Sequence, residues 1–224
     1  MKNLSHLFPN PEILSREISS GKTSTRLITA IAATVVLSFA VSACSNSAKK
    51  LPVIYSFQGL HTTFVNEDSV KVDFPQKYTG SVFVMSFIYT HCPYVCPMTT
   101  QNLHSLQDSL ADLGIKGVKF VSLTYDPNRD TPPVLKNYAL SRGINLSDWD
   151  FLTGSKTDID SVLDRVKIKY NFVDSSYAKG KLVYFVHHPD ECALVDGKGR
   201  VRGLYVGSKL NFVDMIRDIR RLKE

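Results

Sequence analysis

The sequence predicts an α/β domain in which helices cover both faces of a mixed β-sheet. Nearly continuous apolar runs of strand length occur at 81–89 and 118–123. Such runs are typical of strands that are buried on both faces. Segments with apolar residues at spacings of three and four follow these runs. Alternation of this kind predicts parallel strands that are joined by crossover helices.

Length and composition limit the class of protein. The chain has 224 residues, of which 43% are hydrophobic and 21% charged, which is typical of one globular domain with an additional segment. Twelve Gly and ten Pro exclude a collagen-like or low-complexity chain, and four Cys are too few for a small disulfide scaffold. The net charge is +6, but no helix combines a basic face with interleaved aromatics. We therefore expect no nucleic acid partner.

The first 43 residues have the pattern of a secretory signal. Four basic residues precede an uncharged run at 27–43, which ends in the sequence VSAC at 41–44. This ending resembles the lipobox of bacterial lipoproteins, whose Cys becomes the lipidated first residue of the mature protein. The resemblance implies a lipid anchor on Cys44, and an uncleaved signal anchor is the alternative.

The rest of the chain divides into a tether and a folded domain. Residues 44–50 are short, polar or small, as expected of a tether, and 51–224 form the predicted domain. Either kind of anchor places this domain in the cell envelope, on the extracytoplasmic side of a membrane.

The first elements of the domain follow from local signals. Two apolar-leaning runs, at 53–57 and 62–65, flank Gly59 and predict an N-terminal β-hairpin. The buried strand at 81–89 comes next. A helix follows at 97–113, because its leucines recur at spacings of three and four and a glycine comes directly after it.

The later elements continue the alternation and then add a hairpin. After the strand at 118–123 we predict a helix from Pro132 to about Ser141, a strand at 151–152, a helix at 158–166, strands at 182–186, 192–195 and 201–206, and a helix at 210–222. The sequence DGKG at 196–199 is a turn signal between the last two strands. Crossover units followed by a hairpin are the order of a thioredoxin-like fold, which is the fold class that we predict.

The sequence THCPYVCP at 90–97 joins the first buried strand to the first long helix. Loops that leave the carboxyl end of a central strand are where ligands collect in such sheets. Cys92 and Cys96 lie about one helical turn apart, so their sulfurs can converge on one ion or form a disulfide. The helix amino terminus favours thiolates, which both metal binding and thiol exchange require.

The residues alone leave three hypotheses open for this cysteine pair. A structural disulfide is common outside the cytoplasm. A catalytic redox pair is the second hypothesis, although such pairs usually have two intervening residues and this one has three. A metal site is the third, and it needs further donors from elsewhere in the chain. Two thiolates with an imidazole suit copper.

Four segments, in the same order along the chain, carry a family resemblance. The segment YTHCPYVCP at 89–97 resembles the Cys-Pro-x-x-Cys-Pro motif of the Sco/SenC family, thioredoxin-fold proteins that serve the assembly of the copper site of cytochrome c oxidase. The segments YDPNRDTP at 125–132, FLTG at 151–154 and the stretch at 186–199 are similar to further segments of that family.

The resemblance implies a ligand set and a function. Cys92, Cys96 and His188 match the copper ligands of the family, because Asp196 and Gly199 follow His188 at the family's offsets of eight and eleven residues. The implied function is to deliver copper to, or prepare, the copper site of a respiratory cytochrome c oxidase. The implied partners are the copper-bearing oxidase subunit or another copper chaperone. The alternative is a thiol–disulfide oxidoreductase that uses Cys92 and Cys96 as a redox pair on a partner protein.

Three positions depart from the family pattern. Tyr94 stands where the family often has an acidic residue, His187 replaces the Asp before the ligand His, and Pro189 replaces the Ser after it. Because adjacent residues of a strand point to opposite faces, we expect that His187 and His188 do not both enter the site.

Other side chains near these motifs have simpler predicted roles. We expect Cys192 to be a small buried core residue, with a third thiol near the metal as the alternative. Asp126 and Asp130 are predicted to shape a loop and to cap a helix. A contact between these carboxylates and the Cys loop is a further hypothesis. His91 and His104 are not expected to be ligands.

Overall fold

Ten strands and four α-helices follow one another along residues 50–178 and 181–224, the residues that this computed structural model describes. The strands are β1 (Tyr55–Ser56), β2 (Thr62–Val65), β3 (Lys71–Phe74), β4 (Val82–Ile88), β5 (Val118–Thr124), β6 (Trp149–Leu152), β7 (Asn171–Ala178), β8 (Lys181–His187), β9 (Glu191–Val195) and β10 (Arg200–Val206). The helices are α1 (Val95–Asp112), α2 (Pro132–Leu140), α3 (Lys156–Arg165) and α4 (Phe212–Lys223).

A six-stranded mixed sheet forms the centre of the domain, in the order β1-β10-β9-β4-β5-β6. Strands β4, β5 and β6 are parallel, whereas β9, β10 and β1 join them by antiparallel pairing. All seven residues of β4 are buried, as they must be when both faces of a strand are covered. The predicted mixed α/β fold is confirmed.

The N-terminal hairpin consists of other strands than the predicted ones. Strand β2 pairs with β3, a strand that the sequence analysis did not identify. The predicted partner, 53–57, contributes only the two residues of β1, which pair with β10 at the sheet edge. The pairing prediction was wrong because the segment at 71–74 alternates exposed and buried residues over only four positions, and so short a run gives little periodicity.

The predicted strand at 182–186 has a partner that the sequence analysis also missed. Strands β7 and β8 form a separate two-stranded antiparallel sheet. The β7–β8 hairpin then leads directly into His188, so its placement sets the position of that side chain.

Helix α1 begins at Val95, two residues before the predicted start. Pro97 is tolerated there because the first turn of a helix needs no backbone N–H from it. Cys96 thus lies in the first helical turn, as the spacing predicted. The predicted turn at 196–199 is present as well, and Gly199 in it has a φ of 72°, which a glycine adopts without strain.

The predicted signal segment, 1–43, and Cys44 lie outside the described residues. None of the helices that the structure describes is long and apolar enough to span a bilayer.

Candidate metal centre

Cys92 and Cys96 lie at the corner between β4 and α1. The backbone N–H of Cys96 donates to the sulfur of Cys92, and the two atoms are 3.4 Å apart. Both side chains are buried, and both cysteines are free. The backbone N–H groups of Cys96 and of the N-cap residue Tyr94 thus point to the Cys92 sulfur, an arrangement that stabilises negative charge on it.

His188 comes to this corner from the end of the β7–β8 hairpin. Its Nε2 lies 3.5 Å from the sulfur of Cys96. One donor atom from each of Cys92, Cys96 and His188 lies within 4.8 Å of the other two, and no other group of this kind is found among residues 50–178 and 181–224. The fold thus brings together three side chains that are up to 96 positions apart in the sequence.

The His188 ring has a defined tautomer. Its Nδ1 lies 2.8 Å from the backbone oxygen of Pro189. A carbonyl oxygen only accepts, so Nδ1 carries the hydrogen of this bond. In the neutral ring the lone pair is then on Nε2, which faces the sulfurs. A donor bond at one ring nitrogen that leaves the other free is the usual arrangement of metal-binding histidines.

Two tyrosines hold the imidazole ring in place. Tyr125 stacks on it, with ring centroids 4.7 Å apart, and Tyr89 contacts it edge to face at 5.8 Å. Tyr125 is 1% exposed and continues β5 past the carboxyl end of the sheet, where its N–H donates to the backbone oxygen of Ile88. The position of the ring is therefore fixed before any ligand binds.

A cavity of about 560 Å³ lies beside two of the three donors, Cys92 and His188. Its lining is mostly apolar, with Tyr94, Val173, Phe185 and Val186 next to Cys92 and His188. Tyr94 and Phe185 are exposed. A partner could approach the donors from this side, because Cys96 is closed off within the protein while Cys92 and His188 face the cavity.

The two thiols differ in acidity. A hydrogen bond from the Cys96 thiol is the main cause that lowers the pKa of Cys92; burial opposes it, and the nearby His188 side chain and hydrogen bonds from the backbone N–H groups of Cys96 and Tyr94 add to it. The same bond to Cys92, together with burial, raises the pKa of Cys96. In the metal-free protein, Cys92 is the thiolate and Cys96 keeps its proton.

The remaining histidines stay outside this group. His187 is exposed and pairs with Asn171 across the β7–β8 hairpin, so only His188 reaches the sulfurs. His91 is exposed and contacts the Thr90 hydroxyl. His104 lies near Asp108 on α1.

Cys192 is a core residue of β9, as predicted. It is fully buried, and it lies opposite Ser86 of β4. Burial raises its pKa to about 12. This thiol is therefore protonated at neutral pH and chemically inert.

Asp130 supports the loop that carries Cys92 and does not cap a helix. Its carboxylate accepts from the Thr90 N–H at 3.1 Å, from the Thr90 hydroxyl at 2.6 Å and from the Thr124 hydroxyl at 2.5 Å. Helix α2 has Thr131 at its N-cap position and no side-chain cap. The capping prediction for Asp130 was wrong because the helix begins at Pro132, which makes Thr131 and not Asp130 the N-cap residue. The hypothesis of a contact with the Cys loop is confirmed.

Asp126 anchors the hairpin that carries His188. It accepts a hydrogen bond from the Tyr184 hydroxyl at 2.8 Å and forms an ion pair with Arg129. The Arg129 guanidinium in turn lies 3.6 Å from the centre of the Tyr184 ring. The role of Tyr184 was not predicted from the sequence, because its contact with Asp126 joins residues 58 positions apart and no local pattern indicates it.

Tyr125 permits a test of what its ring and its hydroxyl contribute. The hydroxyl is buried and has no hydrogen-bond partner among the residues that the structure describes. We therefore expect Tyr125→Phe to retain the full free energy of unfolding or to gain up to about 1 kcal/mol. Tyr125→Ala should lose about 3–5 kcal/mol, because it opens a cavity and removes the stack on His188. Urea denaturation measures both variants, and a loss above about 2 kcal/mol in Tyr125→Phe would reveal a partner for the hydroxyl.

A thioredoxin-like sheet with two thiols at a helix amino terminus and an imidazole from a remote hairpin defines a class of dithiol metal-binding domains. Within that class, the chain belongs to the SCO1/SenC family, whose model matches residues 58–224. The family that the motifs indicated is therefore confirmed.

Relatives of known name support this assignment. The SCO1 protein homolog of Bacillus subtilis is 34% identical over 119 residues, which are 53% of this chain and 60% of that protein. The match thus spans less than two thirds of this relative. The solved structure of a SCO1/SenC family lipoprotein from Bacillus anthracis is 31% identical, with a TM-score of 0.64 and coverage of 73% of this chain and 94% of that one.

Two further solved structures are similar to this chain. BsSco, a member of the Sco family of cytochrome c oxidase assembly proteins in which a disulfide switch was identified, is 27% identical with a TM-score of 0.63, over 78% of this chain and 98% of that one. Bradyrhizobium japonicum ScoI, solved with copper bound, is 23% identical with a TM-score of 0.58, over 72% and 97%. The last likeness shows the fold alone.

Proposed function

We propose that this protein is a membrane-tethered copper-binding protein that delivers copper to, or prepares, the copper site of a respiratory cytochrome c oxidase. The observation that carries the proposal is the convergence of Cys92, Cys96 and His188 within 4.8 Å. Family membership supplies the oxidase as the destination, because the related BsSco is a cytochrome c oxidase assembly protein.

The donor set favours copper over other ions. Two thiolates and one imidazole are soft ligands, and copper(I) accepts so low a coordination number. A structural zinc site would need a fourth protein ligand, and the described residues offer none within this group. Three protein ligands also leave a position open, which an ion that is passed on to a partner requires.

Thiol oxidation would control the metal. A disulfide between Cys92 and Cys96 removes two electrons from the pair, together with the one proton that Cys96 carries, and leaves neither sulfur as a thiolate ligand. The disulfide switch identified in BsSco supports such a coupling. The protein could then either bind copper or hold the Cys92–Cys96 disulfide, but not both at once.

The proposal of a membrane tether is supported by the amino-terminal sequence and by one relative. The proposed lipid anchor is Cys44, at the end of the lipobox-like sequence. The Bacillus anthracis relative is a lipoprotein. The proposed location is the extracytoplasmic face of a membrane, and the proposed partner is the copper-bearing oxidase subunit or another copper chaperone.

The decisive experiment compares His188→Ala with His187→Ala. Reduced wild-type protein should bind one copper ion and, with copper(II), show a sulfur-to-copper absorption band. His188→Ala should lose the band and more than about a hundredfold in affinity, since even loss of an outer contact of a metal ligand costs 10–100-fold. His187→Ala should keep the absorption band and the wild-type affinity for copper. Unchanged copper binding in His188→Ala would refute the ligand set.

A second function is supported by the acidity of Cys92. A lowered thiol pKa beside a second thiol is also the arrangement of a thiol–disulfide oxidoreductase. In this alternative, Cys92 and Cys96 reduce a disulfide of the partner and become a disulfide themselves. Disulfide reductase activity that persists in copper-free His188→Ala would favour the alternative.

A further inference from the structure

A basic cleft lies at the end of the sheet that is opposite to the metal centre. Its volume is about 510 Å³. Six Lys or Arg and one Asp are among its lining residues, and the cations are Lys50, Lys198, Arg200, Arg202, Arg221 and Lys223. The single carboxylate, Asp196, is already engaged by Arg200 at 2.8 Å and Arg202 at 2.7 Å. Arg221 also pairs with Asp218, which lies outside the lining, at 3.3 Å. The lining keeps an excess of positive charge, which its three lysines carry.

Strand β4 separates this cleft from the metal centre. Gly80 and Val82, at the start of β4, line the cleft, whereas Cys92 follows the end of the same strand. Seven residues of strand span roughly 23 Å. The cavity beside Cys92 has no Lys or Arg among its described lining residues, so the two ends of the sheet differ sharply in charge.

The chain enters the domain at this basic end. Arg202 donates to the backbone oxygens of Leu51 and Pro52, and Ile54 N–H donates to the Val201 oxygen. Lys50, the first described residue, lines the cleft. The proposed anchor at Cys44 is six residues before Lys50, and six residues span at most about 20 Å. A membrane that holds this anchor must therefore lie close to the cleft.

We propose that the basic cleft docks on the headgroups of anionic lipids and so turns the metal centre away from the membrane. The inference rests on the membrane tether of the proposed function, and an uncleaved signal anchor at 27–43 would place the same end at the bilayer. Clustered Lys and Arg next to a membrane anchor bind anionic headgroups. The three copper donors would then face a partner's extramembrane domain at the far end of the sheet.

Lysine acetylation tests this orientation on the full-length protein. The protein is reconstituted in vesicles of phosphatidylcholine, with or without phosphatidylglycerol, and acetylation is measured by mass spectrometry. Lys198 and Lys223 should react about fivefold more slowly with phosphatidylglycerol present, since each cation near an anionic surface gains about that factor in binding. High salt should abolish the difference. Lys209, which is exposed and follows a residue bonded to Asp190 near the metal centre, should not change.

Charge-reversal variants provide the matched control. The double variant Lys198→Glu, Lys223→Glu should remove the lipid-dependent protection of Lys50. The control is Lys71→Glu, Lys209→Glu, which should retain it, because Lys71 pairs with Val65 and Val65 contacts Thr153 at the carboxyl end of the sheet. Equal protection in both lipids, or protection of Lys209, would overturn the proposal. The same protection from a soluble polyanion, DNA or polyglutamate, on phosphatidylcholine vesicles would assign the cleft to another partner and overturn it as well.

The copper content of the same samples separates this inference from the proposed function. Charge reversal at Lys198 and Lys223 should leave copper uptake unchanged, because both side chains lie at the far end of the sheet. Loss of copper binding without loss of lysine protection would contradict the function alone, and the reverse result would contradict the docking surface alone.

Discussion

We expect copper binding to be lost when serine replaces either Cys92 or Cys96. Each substitution removes one of three donors, and serine offers only a hard, neutral oxygen. We expect the affinity for copper to fall by well over about a hundredfold, more than the loss of an outer contact produces. Competition with a chelator of known affinity measures the change. The control is Cys192→Ala, because Cys192 is a fully buried core residue of β9.

Oxidation should have the same effect as both substitutions together. Treatment with diamide joins the two sulfurs, and the protein mass falls by two hydrogens while copper uptake stops. A reductant should restore the original mass and the uptake of copper. Copper retained by the fully oxidised protein would show that the metal is held elsewhere.

The second large expected effect is that Cys92 remains reactive toward alkylating reagents at acidic pH. Its pKa is lowered by the hydrogen bond from Cys96 and by the helix amino terminus, so its thiolate persists at pH values where an ordinary thiol is protonated. An ordinary thiol, with a pKa of about 8.5, is about one-thousandth ionised at about pH 5.5. A thiolate of lower pKa is a weaker nucleophile, which offsets part of the rate increase that the larger ionised fraction produces. We expect iodoacetamide to modify Cys92 on the order of a hundredfold faster than the unfolded chain at this pH.

The neighbouring thiols and one variant make this prediction specific. Cys96 and Cys192 should remain unmodified, because their pKa values are raised. Cys96→Ala removes the thiol that donates to Cys92, so alkylation of Cys92 in acid should slow in this variant. A Cys92 rate that rises about tenfold for each pH unit from acid to neutral in the wild type would contradict the lowered pKa.

Local signals predicted much of the fold and one half of the site. The apolar run before Cys92 predicted β4, and the spacing of the cysteines predicted Cys92 just before the helix and Cys96 in its first turn, as found. These features depend on residues close together in the chain, whose spacing reports directly on strand or helix geometry. The predicted turn at 196–199 was found for the same reason.

The pairing of the short strands escaped prediction. Strands β3 and β7 carry too few alternating apolar residues to be recognised alone, and each forms by pairing with a partner strand elsewhere in the chain. The position of His188 depends on one of these hairpins. The family resemblance therefore identified His188 as a ligand, but no local pattern placed it at the sulfurs.

The sequence alone defined the chemistry of this protein: two cysteines at a strand-to-helix corner, a histidine at a family offset, and a signal-like amino terminus. Tertiary structure decided which histidine points inward, through Pro189 and the Tyr125 stack, and it placed the basic cleft opposite the metal centre. The physical reason is that local periodicity specifies each element, whereas contacts between elements depend on packing energies summed over the whole sheet.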